Sequence, residues 1–555
     1  MESGKREDAL FNRRNALFAA SVVAGAALAP SGAAHAFPSV DGARNGAPGC
    51  VTPHSAIVQT RSGKVRGYVS GGVYTFKGVP YGADTGGESR WLPARAPTPW
   101  DGERPCLVYG GNSPQNPHNY DAVEHTFLQQ WTDGPNTEDM LKLNIWTPTL
   151  SGNLPVMVYF HGGGFSFGSA YELSSHDGAQ MARNHNVVQV SVNHRLNVLG
   201  FLDLAELGGA AYEDSVNVSM TDLVAALSWL RENIARFGGN PDNILIYGQS
   251  GGGSKVTTLL GMPRAQGMIH RAIAMAGGGG NAPSAEQSRA FSRRLITELG
   301  SPDLAALQRM EWKTLFDTGN RVAQEINGPG GMFGPSPTPR VGWAPTVDGK
   351  TITLRSFHDV APDTSRNVPV IFGCNSEEGM GFSRNPTEEQ WRTELTGQFG
   401  AEKANALITA MKAAHPEKAT RTLSYGVATL RFRNNIQRMV DLKHAQNGAP
   451  AYQYLFQWQS PQLDGVCGAW HTAELAFFFD NTRRCEQGTG DTPEARALAT
   501  KMARAIANFA RTGDPSQPGL RWTPSDPERR QTMVFDNRCR MENDPDGAVR
   551  RILSS

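Results

Sequence analysis

From Ile57 to Tyr81 the chain alternates apolar and polar positions, and the alternation breaks at Ser62-Gly63 and Gly71-Gly72. That pattern predicts N-terminal antiparallel hairpins. Further on, the alternation gives way to short apolar runs at Pro155–Phe160, Val187–Asn193, Ile244–Tyr247, Ala272–Ala276 and Val368–Phe372, separated by stretches of helical periodicity. Such alternation predicts an α/β architecture: a mostly parallel central sheet with helices on both faces. The clearest helix is expected over about Asp222 to Phe237, where Leu223, Leu227, Leu230 and Ile234 recur at three- and four-residue steps. Between Met380 and Gly448 helix-favouring sequence replaces the strand pattern, and Ala451–Trp458 resumes it, so an inserted helical cap is expected over about 380–448. The Gly- and Pro-dense segment Asn327–Pro345 is expected to be an irregular loop at the rim of a pocket.

The amino terminus reads differently. Arg13-Arg14 heads an apolar run from Ala16 to Ala29, followed by the small-residue sequence Ala34-His35-Ala36. This is the pattern of a twin-arginine export signal over residues 1–36, with cleavage expected before Phe37 and a periplasmic or secreted product. The apolar run is shorter than the ~20 residues that span a bilayer, so no stable membrane insertion is expected. Residues 37–555 are then expected to form one catalytic unit.

Charge removes some function classes. Lys and Arg total 53 against 52 Asp and Glu, a formal net charge of +1, which leaves no broad electrostatic footprint for nucleic acid. The six cysteines, Cys50, Cys106, Cys374, Cys467, Cys485 and Cys539, all lie in the mature chain, where export permits disulfides. Cys467 with Cys485 is the first pairing to test. No H-E-x-x-H or paired C-x-x-C motif is present, and no metal or cofactor is expected.

Candidate chemistry begins at Gly248-Gln249-Ser250-Gly251-Gly252, which follows the apolar run ending at Tyr247 and precedes a helix-like stretch. A serine at a sharp strand-to-helix turn, flanked by small residues, is an exposed nucleophile. With 61 glycines in the chain the pattern alone proves little, and Gly164-Phe165-Ser166-Phe167-Gly168 matches it too. That second match lies inside a glycine-rich loop, which leaves Ser250 as the candidate. The loop His161-Gly162-Gly163-Gly164-Phe165 directly follows a strand and offers consecutive amides without side chains, as an oxyanion hole requires. An acid is expected in Gly373-Cys374-Asn375-Ser376-Glu377-Glu378-Gly379, where spacing does not separate the two glutamates and the unused one is expected to be a solvated loop charge. Of 13 histidines, His471 stands out by its setting in a late loop before Phe477-Phe478-Phe479. Trp131, Phe165, Phe167 and Trp470 are candidate apolar walls for a substrate pocket.

These stretches, together with Glu138–Trp146, Asn193-His194-Arg195-Leu196, Phe237–Pro241 and Thr512-Gly513-Asp514-Pro515, run in one order from about residue 57 to 540. The sequence resembles the type B carboxylesterases of the α/β-hydrolase fold, which include cholinesterases and bacterial para-nitrobenzyl esterases. The resemblance implies Ser250 as nucleophile, His471 as base, Glu378 as third member, and the amides of Gly163, Gly164 and Gly251 as oxyanion donors. It implies hydrolysis of a small-molecule carboxylic ester through an acyl-serine intermediate. The same triad also serves lipases and amide or carbamate hydrolases, and related domains without an intact triad are binding modules. Three departures stand out. Gln249 replaces the glutamate usual before the nucleophile, which weakens a choline-ester reading; Met140 replaces a cysteine, leaving Cys106 without its usual partner; and Ala276-Gly277-Gly278-Gly279-Gly280 replaces Ser-Gly-Ser beside the acyl site.

Overall fold

The computed structural model describes residues 51–52, 55–118, 123–280, 282–328, 339–378 and 385–554. The expected export signal, Cys50, most of the Gly/Pro-rich segment 327–345, Gly379 and Met380 lie outside the described residues.

Among the described residues one sheet contains twelve strands: β1 (Val51–Thr52), β2 (Tyr68–Ser70), β3 (Val73–Pro80), β4 (Lys142–Thr147), β5 (Leu154–Phe160), β6 (Val188–Val192), β7 (Gly239–Gln249), β8 (Arg271–Met275), β9 (Val370–Asn375), β10 (Ala451–Phe456), β11 (Gln531–Phe535) and β12 (Arg540–Asn543). Their spatial order is β1-β2-β3-β4-β6-β5-β7-β8-β9-β10-β11-β12. The pairs from β6 through β11 are parallel, while β1 to β4, the β4/β6 contact and the β11/β12 contact are antiparallel. The hairpin β2–β3 joins this sheet at its N-terminal edge. The earlier hairpin, Ile57–Gln59 with Lys64–Arg66, instead forms a small separate sheet with Glu103–Pro105.

Continuous apolar runs make sense for strands covered on both faces. Val156, Val158 and Phe160 of β5, with Ile244 and Ile246 of β7, point into one hydrophobic core; Met157, Tyr159, Leu245 and Tyr247 point into the other. Helix α1 (Val218–Asn233) closes the first core, and its Leu223, Leu227 and Leu230 are fully buried. It starts four residues before the expected Asp222. Asp222 is interior because Arg195 holds its carboxylate by two hydrogen bonds, Nε to Oδ2 at 2.8 Å and Nη2 to Oδ1 at 2.6 Å. The expected last turn, Ile234–Phe237, is a 3-10 turn stopped by Gly238 at φ 79°.

Helix α2 (Gly251–Leu260) follows β7 directly. Between β8 and β9 the chain forms α3 (Ala285–Glu298), a short helix at Leu304–Arg309, and α4 (Trp312–Asn327), none of which the apolar pattern announced. A local signal was present: Ser284 and Gln287 make a reciprocal capping box. Between β9 and β10 run α5 (Glu388–Phe399), α6 (Ala401–Ala414) and α7 (Thr420–Ala445). The first two carry most of a separate apolar cluster around Trp391, Leu407 and Leu423. By contrast, α7 also lies against β9 and β10, so it covers the sheet as well as closing the insertion. Helix α8 (Pro493–Thr512) covers the second core with Leu498, Met502, Ile506 and Phe509.

The chain leaves β5 toward β6 on one side, whereas it leaves β7 toward β8 on the other. The carboxyl ends of the neighbouring strands β5 and β7 therefore flank a crevice, the place where an open α/β sheet presents its chemistry.

Candidate active site

Ser250 stands at the crevice, immediately after β7, with φ 58° and ψ −121°. That backbone conformation is strained for a residue with a Cβ. It persists because its neighbours enforce it. The Ser250 amide donates to the carbonyl of Met275 at 2.8 Å, and a Cβ at Gly252 would lie 2.1 Å from the Phe160 carbonyl oxygen. Gly277 fits equally tightly, since a Cβ there would lie 2.0 Å from the Ser250 carbonyl oxygen. The run Gly277–Gly280 thus abuts the elbow from behind, and α7 holds it by hydrogen bonds from Asn435 to the Gly278 carbonyl and from Arg438 to the Gly279 carbonyl.

The loop after β5 faces Ser250. Gly163, Gly164 and Phe165 have φ of 80°, 56° and 67°, three successive left-handed residues that coil the loop tightly. A side chain at Gly163 is excluded by the Phe167 carbonyl oxygen, 1.9 Å from where its Cβ would be. Gly251 and Gly164 meet backbone to backbone, a Cβ on Gly251 falling 2.6 Å from the Gly164 nitrogen. The second motif serine, Ser166, spends its amide on the Gly163 carbonyl at 3.0 Å, closing this turn.

Behind the loop lies a residue that pattern reading passed over. Lys255, on α2, is fully buried and donates to the carbonyls of His161 at 2.8 Å and Gly162 at 3.3 Å. Burial pulls its pKa down to about 7. Its position five residues after the serine, on a helix whose other nearby residues are small, was the available signal.

The adjacent glutamates prove unlike. Glu378 accepts the Asn375 amide at 2.6 Å on Oε1, and its Oε2 accepts from His471 Nδ1. Glu377, expected as a solvated charge, is instead buried at 2% exposure. It receives Lys418 Nζ and the Ser376 hydroxyl at 2.6 Å each and the Ala469 amide at 2.8 Å. One glutamate meets the histidine; the other ties the histidine's loop to the end of β9.

Burial alone would lower the pKa of His471, but the charge and hydrogen bond of Glu378, aided by Glu474, raise it above the ordinary imidazole value. Gln249 Nε2 lies 3.3 Å from both ring nitrogens. Glu474, fully buried, accepts from Asn375 Nδ2 at 2.5 Å, and burial with the neighbouring Glu378 charge pushes its carboxyl up to about 8.

Ser250, His471, Gly163, Gly164, Gln249 and Trp131 share one cavity of about 250 Å³, with Phe167 also in its wall. Two expected wall residues are elsewhere. Phe165 turns its ring away, edge-on to Phe201 at 5.5 Å and beneath the Lys255 ammonium, because its left-handed backbone points the side chain into the core. Trp470 is buried in the second core against Gly488, and its carbonyl accepts from Asn375 Nδ2. Among the described residues no group of three or more His, Cys, Asp or Glu is placed to hold a metal ion. The described cysteines, Cys106, Cys374, Cys467, Cys485 and Cys539, are all free thiols, so the Cys467–Cys485 pairing is not formed. Burial pushes Cys467 up to about 11 and Cys485 up to about 12, which keeps both protonated.

Residues 54–549 match the profile of the Carboxylesterase family. The chain belongs to that family. This esterase is 30% identical to the para-nitrobenzyl esterase of Bacillus subtilis over 90% of its own length and 98% of the relative's. It is 33% identical to the phenmedipham hydrolase of Pseudarthrobacter oxydans, over 84% and 91% of the two chains. Among solved structures, an esterase from Clostridium hathewayi that can hydrolyze aliphatic aromatic polyesters superposes with a TM-score of 0.77 at 32% identity, covering 91% of this chain and 99% of that one. The fold is that of an α/β-hydrolase, and the protein is a carboxylic ester hydrolase.

Proposed function

We propose that this esterase works through an acyl-Ser250 intermediate. His471 takes the hydroxyl proton of Ser250 as the oxygen attacks the ester carbonyl, and returns it to the leaving alcohol as the carbon–oxygen bond breaks. Water then attacks the acyl-serine by the same route, releasing the acid and restoring the hydroxyl. Glu378 holds Nδ1–H of His471, which puts the accepting lone pair on Nε2, and it stabilises the imidazolium formed in each half-reaction. The amides of Gly163, Gly164 and Gly251 receive the oxyanion, each donor contributing about 3 kcal/mol to the transition state. Lys255, by holding the carbonyls of His161 and Gly162, keeps those peptide planes turned so that the following amides face the cavity.

The observation that carries this reading is the His471–Glu378 hydrogen bond, made by a histidine that lines the same cavity as Ser250, Gly163 and Gly164. The test is intact mass spectrometry after treatment with a fluorophosphonate. A single adduct located on Ser250 and lost in Ser250→Ala is expected; no adduct on a folded protein would return the chain to the binding-module reading.

We also infer export by the twin-arginine route, supported by Arg13-Arg14 and the apolar run behind them. A secreted or periplasmic product beginning at Phe37, lost when Arg13 and Arg14 are both changed to Lys, is the expected result.

A further inference from the structure

Thr472, the residue after His471 and part of the cavity wall, has φ 83°. That region suits glycine, whereas in a β-branched residue the Cβ substituents crowd the flanking peptides. Thr472 keeps this backbone only under restraint. The restraint comes from Gln129, whose Nε2 donates to the Thr472 hydroxyl and to the His471 carbonyl, the latter at 3.3 Å. One buried carboxamide, 342 residues away in the chain, grips both residues.

Gln129 is itself anchored. It ends the short helix Val123–Gln129, in which Leu128 is buried in the second core. Just beyond, the Thr132 amide donates to the Glu172 carbonyl at 2.8 Å, and the Trp131 ring stacks on His118 with centroids 4.3 Å apart. The His471 loop is held from the other side by the end of β9, where Asn375 Nδ2 donates to the Trp470 carbonyl at 2.6 Å and Glu377 accepts the Ala469 amide. Those bonds stop one residue short of His471. After it, the Leu475 amide donates to the Thr472 carbonyl at 3.0 Å and starts the next turn. The His471–Thr472 peptide lies between these anchors, and Gln129 spans the gap. Rotation about the Thr472 N–Cα bond toward an ordinary negative φ would turn that peptide and carry the imidazole away from Glu378.

We propose that Gln129 is a positioning residue for His471, holding the strained turn at Thr472 so that the imidazole stays in register with Glu378 and Ser250. The proposal rests on the acyl-serine reading and adds a residue that no motif singled out. Three changes separate this latch from mere packing. Gln129→Met keeps the length and loses the donors, Thr472→Val keeps the β-branch and loses the hydroxyl, and Thr472→Gly removes the strain together with the acceptor. Each variant is assayed for kcat and KM on para-nitrophenyl butyrate and for the rate of fluorophosphonate labelling, which needs an activated Ser250 but no turnover. The final extent of labelling counts folded sites.

Gln129→Met and Thr472→Val should each lower kcat and the labelling rate per site by about 10- to 100-fold, with KM changed by less than about threefold. Added to Thr472→Gly, the Gln129→Met change should cost less than about threefold further, because glycine adopts the turn without restraint. An unchanged kcat per labelled site in Gln129→Met overturns the proposal, whatever happens to the melting temperature. So does a Gln129→Met loss as large with Thr472→Gly as without it. Failure of the acyl-serine reading looks different: the unsubstituted protein then takes no label on Ser250, or Ser250→Ala still hydrolyses the ester.

Discussion

The wall of the cavity made by the ends of β5 and β7 is held by backbone, whereas the wall carrying Glu378 and His471 is held by charge. On the first, Ser250 is fixed by a left-handed turn, and Gly163, Gly252 and Gly277 are needed because carbonyl oxygens lie 1.9 to 2.1 Å from where their Cβ atoms would be. On the second, residues 93 positions apart meet through a buried ion-paired hydrogen bond, while Glu377, Lys418 and the Ala469 amide hold the approaching loop. Steric walls tolerate no added atom. Charged walls tolerate shape changes better than the loss of a charge.

The largest effect that separates the walls is on the nucleophile itself. Ser250→Ala should lower kcat by about 10⁴ to 10⁶ with the fold intact, measured by ester hydrolysis on chromatographically pure protein. Across the cavity, the two glutamates should fail in different ways. Glu378→Gln should lower kcat by about 10³ to 10⁴, since it loses the charge that stabilises imidazolium, with a modest change in melting temperature. Glu377→Gln should reduce activity far less but destabilise the protein by about 2 kcal/mol, because it leaves Lys418 beside an uncharged partner. The reverse ranking would exchange their roles.

A purely steric change comes next. Gly163→Ala should reduce kcat by about 10² to 10³ with little change in KM, because the loop must move to admit the methyl group and its amides leave their aim. Lys255→Met, which keeps length but removes the ammonium, should lower kcat by about tenfold, and a titration with a trifluoromethyl ketone should show weakened binding of the tetrahedral adduct.

Two smaller effects probe the charged wall alone. A base must be unprotonated, and His471 titrates above the ordinary value near 6.5, so kcat/KM should fall as pH drops through a midpoint above 6.5. Glu378→Gln should move that limb to lower pH in whatever activity remains; a limb that stays put would detach it from His471. Glu474, pushed up to about 8, is mostly uncharged at neutral pH, so Glu474→Gln should change kcat by less than about threefold near pH 7. A loss as large as that of Glu378→Gln would show that Glu474 carries charge in the working enzyme.

The sequence by itself determined the parallel strands, the apolar stripe of α1 though not its ends, the elbow at Ser250 and the glycine loop after β5, because each is written in contiguous residues: apolar runs, three- and four-residue periodicity, and glycines where a chain must turn sharply. The family motifs chose Glu378 over Glu377 and strengthened His471, which its loop setting had only suggested. Tertiary structure alone decided what depends on residues meeting from distant segments. It buried Glu377 rather than leaving it in solvent, turned Phe165 and Trp470 into the core while leaving Trp131 in the cavity wall, and left Cys467 and Cys485 unpaired. It also set Lys255 behind the oxyanion loop and brought Glu172 into the same cavity wall as Ser250. A side chain's charge, partner and exposure are properties of the space around it, and that space is assembled from segments hundreds of residues apart.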